Sequence, residues 1–265
     1  MSGRRRRHDA TYRAPVAAGK VVLRALDVTV RTAGAETVPR HGPVLLAANH
    51  VSFPDFLFIG KGLLGRRLVR FMCRGDIWDQ PRLARLMDAM QHIPVDRAAP
   101  AAAYLRARRL LREGEAVCVF PEAGIPAAYA VRALMPGAAS LARETGLPLV
   151  PVSIWGSQRL WAQKRSLHAP LPRPDLTRGR LVDVRFGAPL DVPPDADLDE
   201  TTRRLGHALH DGLVALQDLP EHRPRPGEWA PWYPAHLGGD ALPRSESTLL
   251  DTMPHSAVQP TWGPT

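Results

Sequence analysis

The region between residues 14 and 219 alternates short apolar runs with longer amphipathic stretches, and this alternation restricts the folds open to the chain. Almost continuously apolar runs, typical of strands covered on both faces, occupy residues 44–48, 68–73, 116–120, 149–155 and 181–186. Helices are predicted at residues 53–64, 81–90, 99–112, 137–145 and 199–216. The pattern predicts a single α/β domain, over residues 14–219, with a mixed, largely parallel sheet flanked by helices.

Two terminal segments differ in composition from this domain. Residues 1–13 contain four consecutive arginines and predict a flexible basic arm. Residues 220–265 form a proline-rich tail that we expect to be mostly non-regular. Because the tail also holds Trp229, Trp232, Tyr233 and Trp262, more aromatic side chains than disordered segments usually carry, it is predicted to pack partly on the domain, with roughly the last 15 residues loose.

The composition excludes a wholly disordered or fibrous chain, since 45% of the residues are hydrophobic and 23% are charged. Lys and Arg (35) exceed Asp and Glu (26), which gives a net charge of +9 and an attraction to nucleic acid, anionic lipid or phosphorylated substrates. No helix-turn-helix, zinc or RNA-binding signature is present, so nucleic acid is not an expected partner. A non-enzymatic protein that binds an anionic membrane or nucleic acid is a distant alternative.

Cysteine content and the start of the chain both favour a cytoplasmic location. Cys73 and Cys118 lie in apolar stretches and are predicted to be free thiols, with a disulfide as the alternative. No apolar run reaches the length of a spanning helix, and no apolar segment follows the basic start as it would in a secretion signal. Residues 11–26 predict either an amphipathic helix on a membrane surface or a helix packed on the core.

The densest polar cluster follows the apolar run at residues 44–48. Asn49 and His50 stand at the exit of that predicted strand, and Asp55 lies in the first turn of the next helix, where the helix dipole favours a carboxylate. An Asp at this spacing can fold back onto one ring nitrogen and leave the other free as a general base. A helix-capping cluster with an incidental His explains the same residues. Ser52 lacks a G-x-S-x-G context, so it is predicted to cap the helix.

Three further segments place motif residues near predicted strands. Residues 91–97 end in Arg97 before a helix, where arginine can bind phosphate beside backbone N–H groups; a surface Asp–Arg pair is the alternative. Residues 120–124 predict a tight turn that presents Glu122, which could equally be a solvated carboxylate. Residues 150–152, Val-Pro-Val, carry no chemistry and are expected to shape a wall.

In this order and at these separations, the four segments resemble the glycerolipid acyltransferase family, typified by 1-acylglycerol-3-phosphate (lysophosphatidate) acyltransferases. That family shows N-H-x4-D, a G-x-I-x-x-x-R-like segment, F-P-E-G-[ST]-R and a V-P-V-like strand. The matching residues here are Asn49-His50 with Asp55, Ile93 with Arg97, residues 120–122 and residues 150–152. The resemblance covers approximately residues 20–216.

The resemblance implies transfer of an acyl group from acyl-CoA or acyl carrier protein to the hydroxyl of a lysophospholipid, most simply 1-acylglycerol-3-phosphate, in phospholipid biosynthesis. A non-phosphate or other lipid acceptor is the alternative. His50 would be the general base and Asp55 its orienting partner, with backbone N–H groups near a helix start stabilising the oxyanion. The expected substrate-binding residues are Asn49, Ser52, Arg97, Glu122 and Gly124. Neither a metal nor another cofactor is expected, and the expected location is the inner face of the plasma membrane, held peripherally on its anionic surface.

Two segments depart from the family pattern. Gln91 stands where the family often has Gly, and Ala123, Gly124 and Ile125 replace the usual G-[ST]-R. Because the apolar Ile125 stands where the family has an arginine, this position is not expected to supply the family's contact to an acceptor phosphate, and Arg132 is a candidate substitute.

Loss of that second arginine should place more of the phosphate recognition on Arg97. We expect Arg97→Ala to raise the acceptor KM strongly and to leave the donor KM nearly unchanged, and Arg97→Lys to recover only part, because a point charge cannot reproduce a bidentate contact. Steady-state kinetics with each substrate varied separately measures both constants. Equal effects on the two KM values would contradict recognition of the acceptor phosphate by Arg97.

Overall fold

A computed structural model describes residues 3–96, 98–251 and 256–263. Its strands are β1 (Thr29–Ala33), β2 (Val44–Ala48), β3 (Val69–Arg74), β4 (Ile93–Val95), β5 (Ala116–Val119), β6 (Leu149–Trp155) and β7 (Leu181–Phe186). Its α-helices are α1 (Gly3–Ala25), α2 (Asp55–Gly62), α3 (Pro81–Ala89), α4 (Ala101–Arg112), α5 (Gly137–Thr145), α6 (Leu198–Gln217) and α7 (Arg244–Leu250).

The strands form one seven-stranded sheet in the order β1-β7-β6-β2-β5-β3-β4. All neighbouring pairs are parallel except β6 and β7, so β1 and β7 run against the other five strands. Strands β2, β5 and β6 are buried along their whole length, as their continuous apolar sequences predict. The predicted α/β class, with a largely parallel sheet flanked by helices, is confirmed.

The sequence pattern missed the two edge strands. Strand β1 reads Thr-Val-Arg-Thr-Ala and pairs with β7 alone, so it lacks the apolar run of a central strand. Strand β4 has three residues, one of them Pro94, and pairs with β3 alone. Proline is tolerated at a sheet edge because an edge strand leaves some N–H groups unpaired.

Two predicted helices begin later than expected, each after a proline. Helix α2 begins at Asp55 rather than residue 53, and α4 begins at Ala101 rather than residue 99. Pro54 and Pro100 occupy the capping positions, and a proline disfavours helical geometry in the residue before it.

Helix α1 covers most of the segment predicted as a flexible arm, so the boundary expected at residue 13 falls inside an element. One part of the helix packs on the domain: Tyr12 is buried and its hydroxyl donates to the carbonyl of Val69 at 3.0 Å. Near the C-terminal end of the helix, Val21 and Val22 are 68% and 55% exposed. The interpretation as a helix packed on the core is thus supported at Tyr12, and the membrane-surface interpretation stays a prediction. Within the described ranges, no helix is long and apolar enough to cross a membrane.

The proline-rich tail packs more extensively than expected. Val258 pairs with Leu134 in an isolated antiparallel bridge, although it lies among the residues predicted to be loose. Trp262 is 2% exposed and lies on helix α6, where a Cβ atom at Gly206 would come within 2.4 Å of its ring. A glycine inside a helix is unfavourable, and here its missing side chain makes room for the indole. Cys73 and Cys118 are buried free thiols, as predicted.

Candidate active site

Three adjacent parallel strands carry the site at their carboxyl ends. Strands β6, β2 and β5 are neighbours in the sheet and run in the same direction. The chain leaves β2 into His50, leaves β5 into Glu122 and leaves β6 into Ser157. Ligand sites of open α/β sheets gather at this edge, and here these residues meet.

His50 and Asp55 form a hydrogen-bonded dyad. The distance from His50 Nδ1 to Asp55 Oδ2 is 2.8 Å, and the two side chains are 19% and 0% exposed. The imidazole stacks on the ring of Phe120, with centroids 4.3 Å apart. Because the carboxylate accepts from Nδ1, the neutral ring carries its lone pair on Nε2, which bonds to no described residue. The dyad is thus arranged to accept a proton at Nε2.

The buried carboxylate of Asp55 collects four donors. Its Oδ2 accepts the backbone N–H groups of Val51 and Ser52, at 2.7 and 2.9 Å, in addition to the imidazole. Its Oδ1 accepts the hydroxyl of Ser157. Four donors compensate the desolvation of the carboxylate. The N–H groups of Val51 and Ser52 are therefore committed to Asp55, and the expected stabilisation of an oxyanion by N–H groups near a helix start stays a prediction.

Ser157 was missed by sequence reasoning. It lies two residues beyond β6, in a segment of no recognised motif, and is fully buried. The available signal was its position after the strand that neighbours β2, because parallel strands release their chains at one sheet edge.

Two residues predicted to bind substrate have structural roles instead. Asn49 is fully buried and pairs with the backbone of Ile154: its Oδ1 accepts from the N–H at 2.7 Å and its Nδ2 donates to the carbonyl at 3.2 Å. Ser52 is also buried and donates to the carbonyl of Trp161 at 2.7 Å, so its side chain does not cap α2. Both side chains fix the loop that carries His50.

Glu122 is a buried carboxylate rather than a solvated or substrate-facing one, since it is 1% exposed. Its Oε1 accepts the backbone N–H of His50 at 2.8 Å, and its Oε2 accepts the N–H of Arg132 at 3.1 Å. Burial raises the pKa of Glu122 to about 8, against the opposing effects of the Arg132 charge and of the two N–H donors. Glu122 therefore positions the backbone of the dyad histidine.

Arg132, the candidate substitute for the missing arginine, is already occupied. Its Nε and Nη2 donate to the carbonyl of Glu122, at 3.0 and 2.7 Å. Its Nη1 lies 2.6 Å from the carboxylate of Asp251 in the tail, and burial raises the pKa of Asp251. In this arrangement Arg132 joins residues 120–125, the third motif of the family pattern, to the tail instead of offering a free cation.

Two of the predicted site residues remain, Gly124 and Arg97. Gly124 is half-buried in the turn after β5, and the neighbouring Ile125 is buried. Arg97 lies outside the described residues, so its predicted role stays a prediction. Within the described part of the chain, no group of three or more His, Cys, Asp or Glu side chains is placed to hold a metal ion.

Both positions where the family pattern has glycine adopt left-handed backbone. The φ angles of Gln91 and Ala123 are 59° and 52°. A side chain is disfavoured there because its Cβ crowds the following carbonyl, whereas glycine is not.

Replacing Ala123 by glycine should therefore stabilise the protein. We expect Ala123→Gly to raise the free energy of unfolding by about 1 kcal/mol, measured by urea denaturation. Ala102, exposed in ordinary helical backbone of α4, provides the matched control: Ala102→Gly should lower the free energy by about 1 kcal/mol. Destabilisation by both substitutions would contradict backbone strain at residue 123.

The raised pKa of Glu122 predicts a pH dependence of stability. The folded state binds the proton more tightly than the unfolded state, so this group's stabilising contribution is complete below pH 4.5 and is lost as the pH rises to about 8. Relative to Glu122→Gln, the wild-type free energy of unfolding should fall by roughly 1 kcal/mol per pH unit across that window. Urea denaturation at several pH values measures it. For the exposed Glu36→Gln, the difference in free energy of unfolding from wild type should not change with pH. A pH-independent difference for Glu122→Gln would refute the raised pKa of Glu122.

Comparisons with known proteins agree with this geometry. Residues 29–155 match the family model described as Acyltransferase. The chain is 28% identical over 162 residues to the probable 1-acyl-sn-glycerol-3-phosphate acyltransferase of Mycoplasma pneumoniae, and the match covers 59% of each protein, less than two thirds of that relative. The crystal structure of the 1-acyl-sn-glycerophosphate (LPA) acyltransferase PlsC from Thermotoga maritima has a TM-score of 0.64 and 22% identity, covering 82% of this chain and 84% of that chain. At that identity the structural likeness shows the fold alone.

The family match contains the elements that the sequence motifs singled out. Residues 29–155 run from β1 to the end of β6 and hold both the His50–Asp55 dyad and the Glu122 turn. The resemblance inferred from the four motifs is thereby confirmed, in that residues 29–155 match the Acyltransferase family model.

Proposed function

We propose that the protein transfers an acyl group from a thioester to the hydroxyl of a lipid acceptor. The observation that carries the proposal is the dyad: His50 Nδ1 is tied to a buried carboxylate at 2.8 Å, and the ring is partly exposed at the sheet edge. This arrangement makes Nε2 a positioned general base. No protein nucleophile is needed, because the acceptor hydroxyl itself attacks.

The reaction follows from this geometry. Nε2 of His50 takes the hydroxyl proton while the acceptor oxygen forms a bond to the thioester carbonyl carbon. Asp55 stabilises the imidazolium that results, as the carboxylate does in a hydrolase triad. The carbon–sulfur bond then breaks, and the imidazolium returns the proton to the leaving thiolate. The products are an ester and a free thiol.

The proposed substrates are acyl-CoA or acyl carrier protein as donor and 1-acylglycerol-3-phosphate as acceptor, with phosphatidate as product. The Mycoplasma and Thermotoga proteins are both named as acyltransferases of this acceptor, which supports it. The net charge of +9 favours association with phosphorylated substrates. A lipid acceptor without phosphate uses the same dyad chemistry and is the second candidate, because Ile125 replaces the family's arginine.

Removing the base should abolish most of the activity. We expect His50→Ala to lower kcat by roughly 10²–10⁴-fold, and Asp55→Asn, which keeps the side-chain volume, to have an effect of similar size. Thiol release from acyl-CoA or acyl carrier protein with a lysophosphatidate acceptor measures the rate, and circular dichroism checks the fold. His41→Ala, an exposed histidine near the same strand, is the matched control. Normal turnover by folded His50→Ala would refute the mechanism.

We further propose that the protein works peripherally on an anionic membrane, at the cytoplasmic face of the plasma membrane. Helix α1 begins in the four-arginine segment and exposes Val21 and Val22. Helix α3, which contacts α1, exposes Leu83 and Leu86. A helix that carries basic residues in its first turns and exposed apolar side chains near its C-terminal end suits the surface of an anionic bilayer.

Charge removal at residues 4–7 tests this attachment. Changing these four arginines to glutamine should weaken sedimentation with phosphatidylglycerol vesicles, by about 1 kcal/mol per charge at low salt, and less at high salt. The matched control removes the same charge from exposed arginines elsewhere on the surface: Arg109, Arg112, Arg204 and Arg223. Vesicle binding equal to wild type would eliminate residues 4–7 as the attachment.

A further inference from the structure

A cavity of about 360 Å³ lies between the segment after β6 and the tail. This volume is within the usual range of small-molecule sites. The charged residues in its wall are four arginines and two carboxylates: Arg159, Arg165, Arg173, Arg180, Asp175 and Glu228. An excess of two positive charges around a concave surface attracts an anion.

The carboxylates neutralise this wall incompletely. Asp175 lies 2.6 Å from Arg180, but Glu228 lies 3.7 Å from Arg159, beyond hydrogen-bond distance. The other two arginines of the wall have no ion pair with a carboxylate among the described residues. Arg173 is exposed and makes no hydrogen bond within the same ranges, so its guanidinium has its donors available.

Two of the arginines carry buried donors without partners. The Nε–H groups of Arg159 and Arg180 are buried and bond to no atom of the described residues. The guanidinium of Arg159 lies 4.0 Å from the centroid of the Trp232 ring, which fixes its plane. Burial and the charge of Arg180 lower the pKa of Arg159. A bound anion would offset this unfavourable charge density.

Hydrogen bonds join the segment that lines the cavity to the loops around the dyad. The wall residue Gln163 donates from Nε2 to the carbonyl of Ile125 at 3.1 Å. Two residues earlier, the carbonyl of Trp161 accepts the hydroxyl of Ser52 in the His50 loop. The segment that forms the cavity wall is therefore fastened both to the dyad loop and to the position where an apolar side chain stands in place of an arginine.

We propose that this cavity binds the phosphate group of a substrate of the transfer reaction. Guanidinium groups match phosphate oxygens in a bidentate manner, and the Trp232 ring with Pro172 and Pro231 offers an apolar surface to the adjoining part of the molecule. The same chemistry is carried by the phosphate monoester of a lysophosphatidate and by the phosphates of coenzyme A. The inference rests on the proposed function and places anion recognition outside the third motif.

The test compares Arg173→Ala and Arg159→Gln with Arg178→Ala. Arg178 is an exposed arginine of the same segment outside the cavity wall, so its removal changes the net charge equally. Acceptor KM and donor KM are measured separately, and calorimetry measures binding of glycerol 3-phosphate and of coenzyme A to each protein. We expect each cavity variant to raise the KM of one substrate about tenfold or more with little change in kcat, and Arg178→Ala to behave as wild type.

The pattern identifies the source of the phosphate. A raised acceptor KM with weaker glycerol 3-phosphate binding assigns the cavity to the acceptor, and a raised donor KM with weaker coenzyme A binding assigns it to the donor. Unchanged KM values in folded Arg173→Ala and Arg159→Gln, or equal losses with both substrates and a lowered Tm, overturn the inference. If His50→Ala loses transfer while the cavity variants keep their KM values, the acyltransferase proposal stands and only the cavity proposal fails. The failure of one proposal is therefore distinguishable from the failure of the other.

Discussion

The site depends on one buried carboxylate. Asp55 has no exposed surface, and an uncompensated charge in that position would cost several kcal/mol. Four donors compensate this charge. The His50 ring and two backbone N–H groups come from the segment that leaves β2, and the hydroxyl of Ser157 comes from the segment after β6. The same bonds that make the burial tolerable fix the orientation of the imidazole, so the burial of Asp55 and the orientation of the proposed general base have a single cause.

A second buried carboxylate serves the same histidine differently. Asp55 holds the imidazole ring, whereas Glu122, at the end of the neighbouring strand β5, holds the backbone N–H of the same residue. Both carboxylate oxygens of Asp55 accept hydrogen bonds, which stabilise its charge. Glu122 has fewer donors, and desolvation dominates its pKa. The histidine is consequently fixed at two points, its ring by the first residue of helix α2 and its backbone by the turn after β5, which suits the proposed role of a positioned base.

Sequence reasoning predicted what periodicity and motif order encode and missed what tertiary contacts decide. The central strands were predictable because each is a continuous apolar run, and His50 and Asp55 were predictable because their spacing suits a local fold-back. The roles of Asn49, Ser52 and Glu122 were not, since a polar residue at a strand end looks the same whether it faces substrate or bonds to the backbone of Ile154, Trp161 or His50. Ser157 and the packing of Trp262 depend on partners distant in sequence, which no local pattern reports.

The contact between Arg132 and Asp251 makes the tail part of the third motif. One side of the Arg132 guanidinium donates to the carbonyl of Glu122, and the other side forms an ion pair with the carboxylate of Asp251 in the tail. Replacement of the tail by a segment without a carboxylate at position 251 would therefore leave one side of the Arg132 guanidinium without its partner. A hybrid chain that separates Arg132 from Asp251 would disturb the turn whose Glu122 bonds to the backbone of His50, without altering any residue of the dyad.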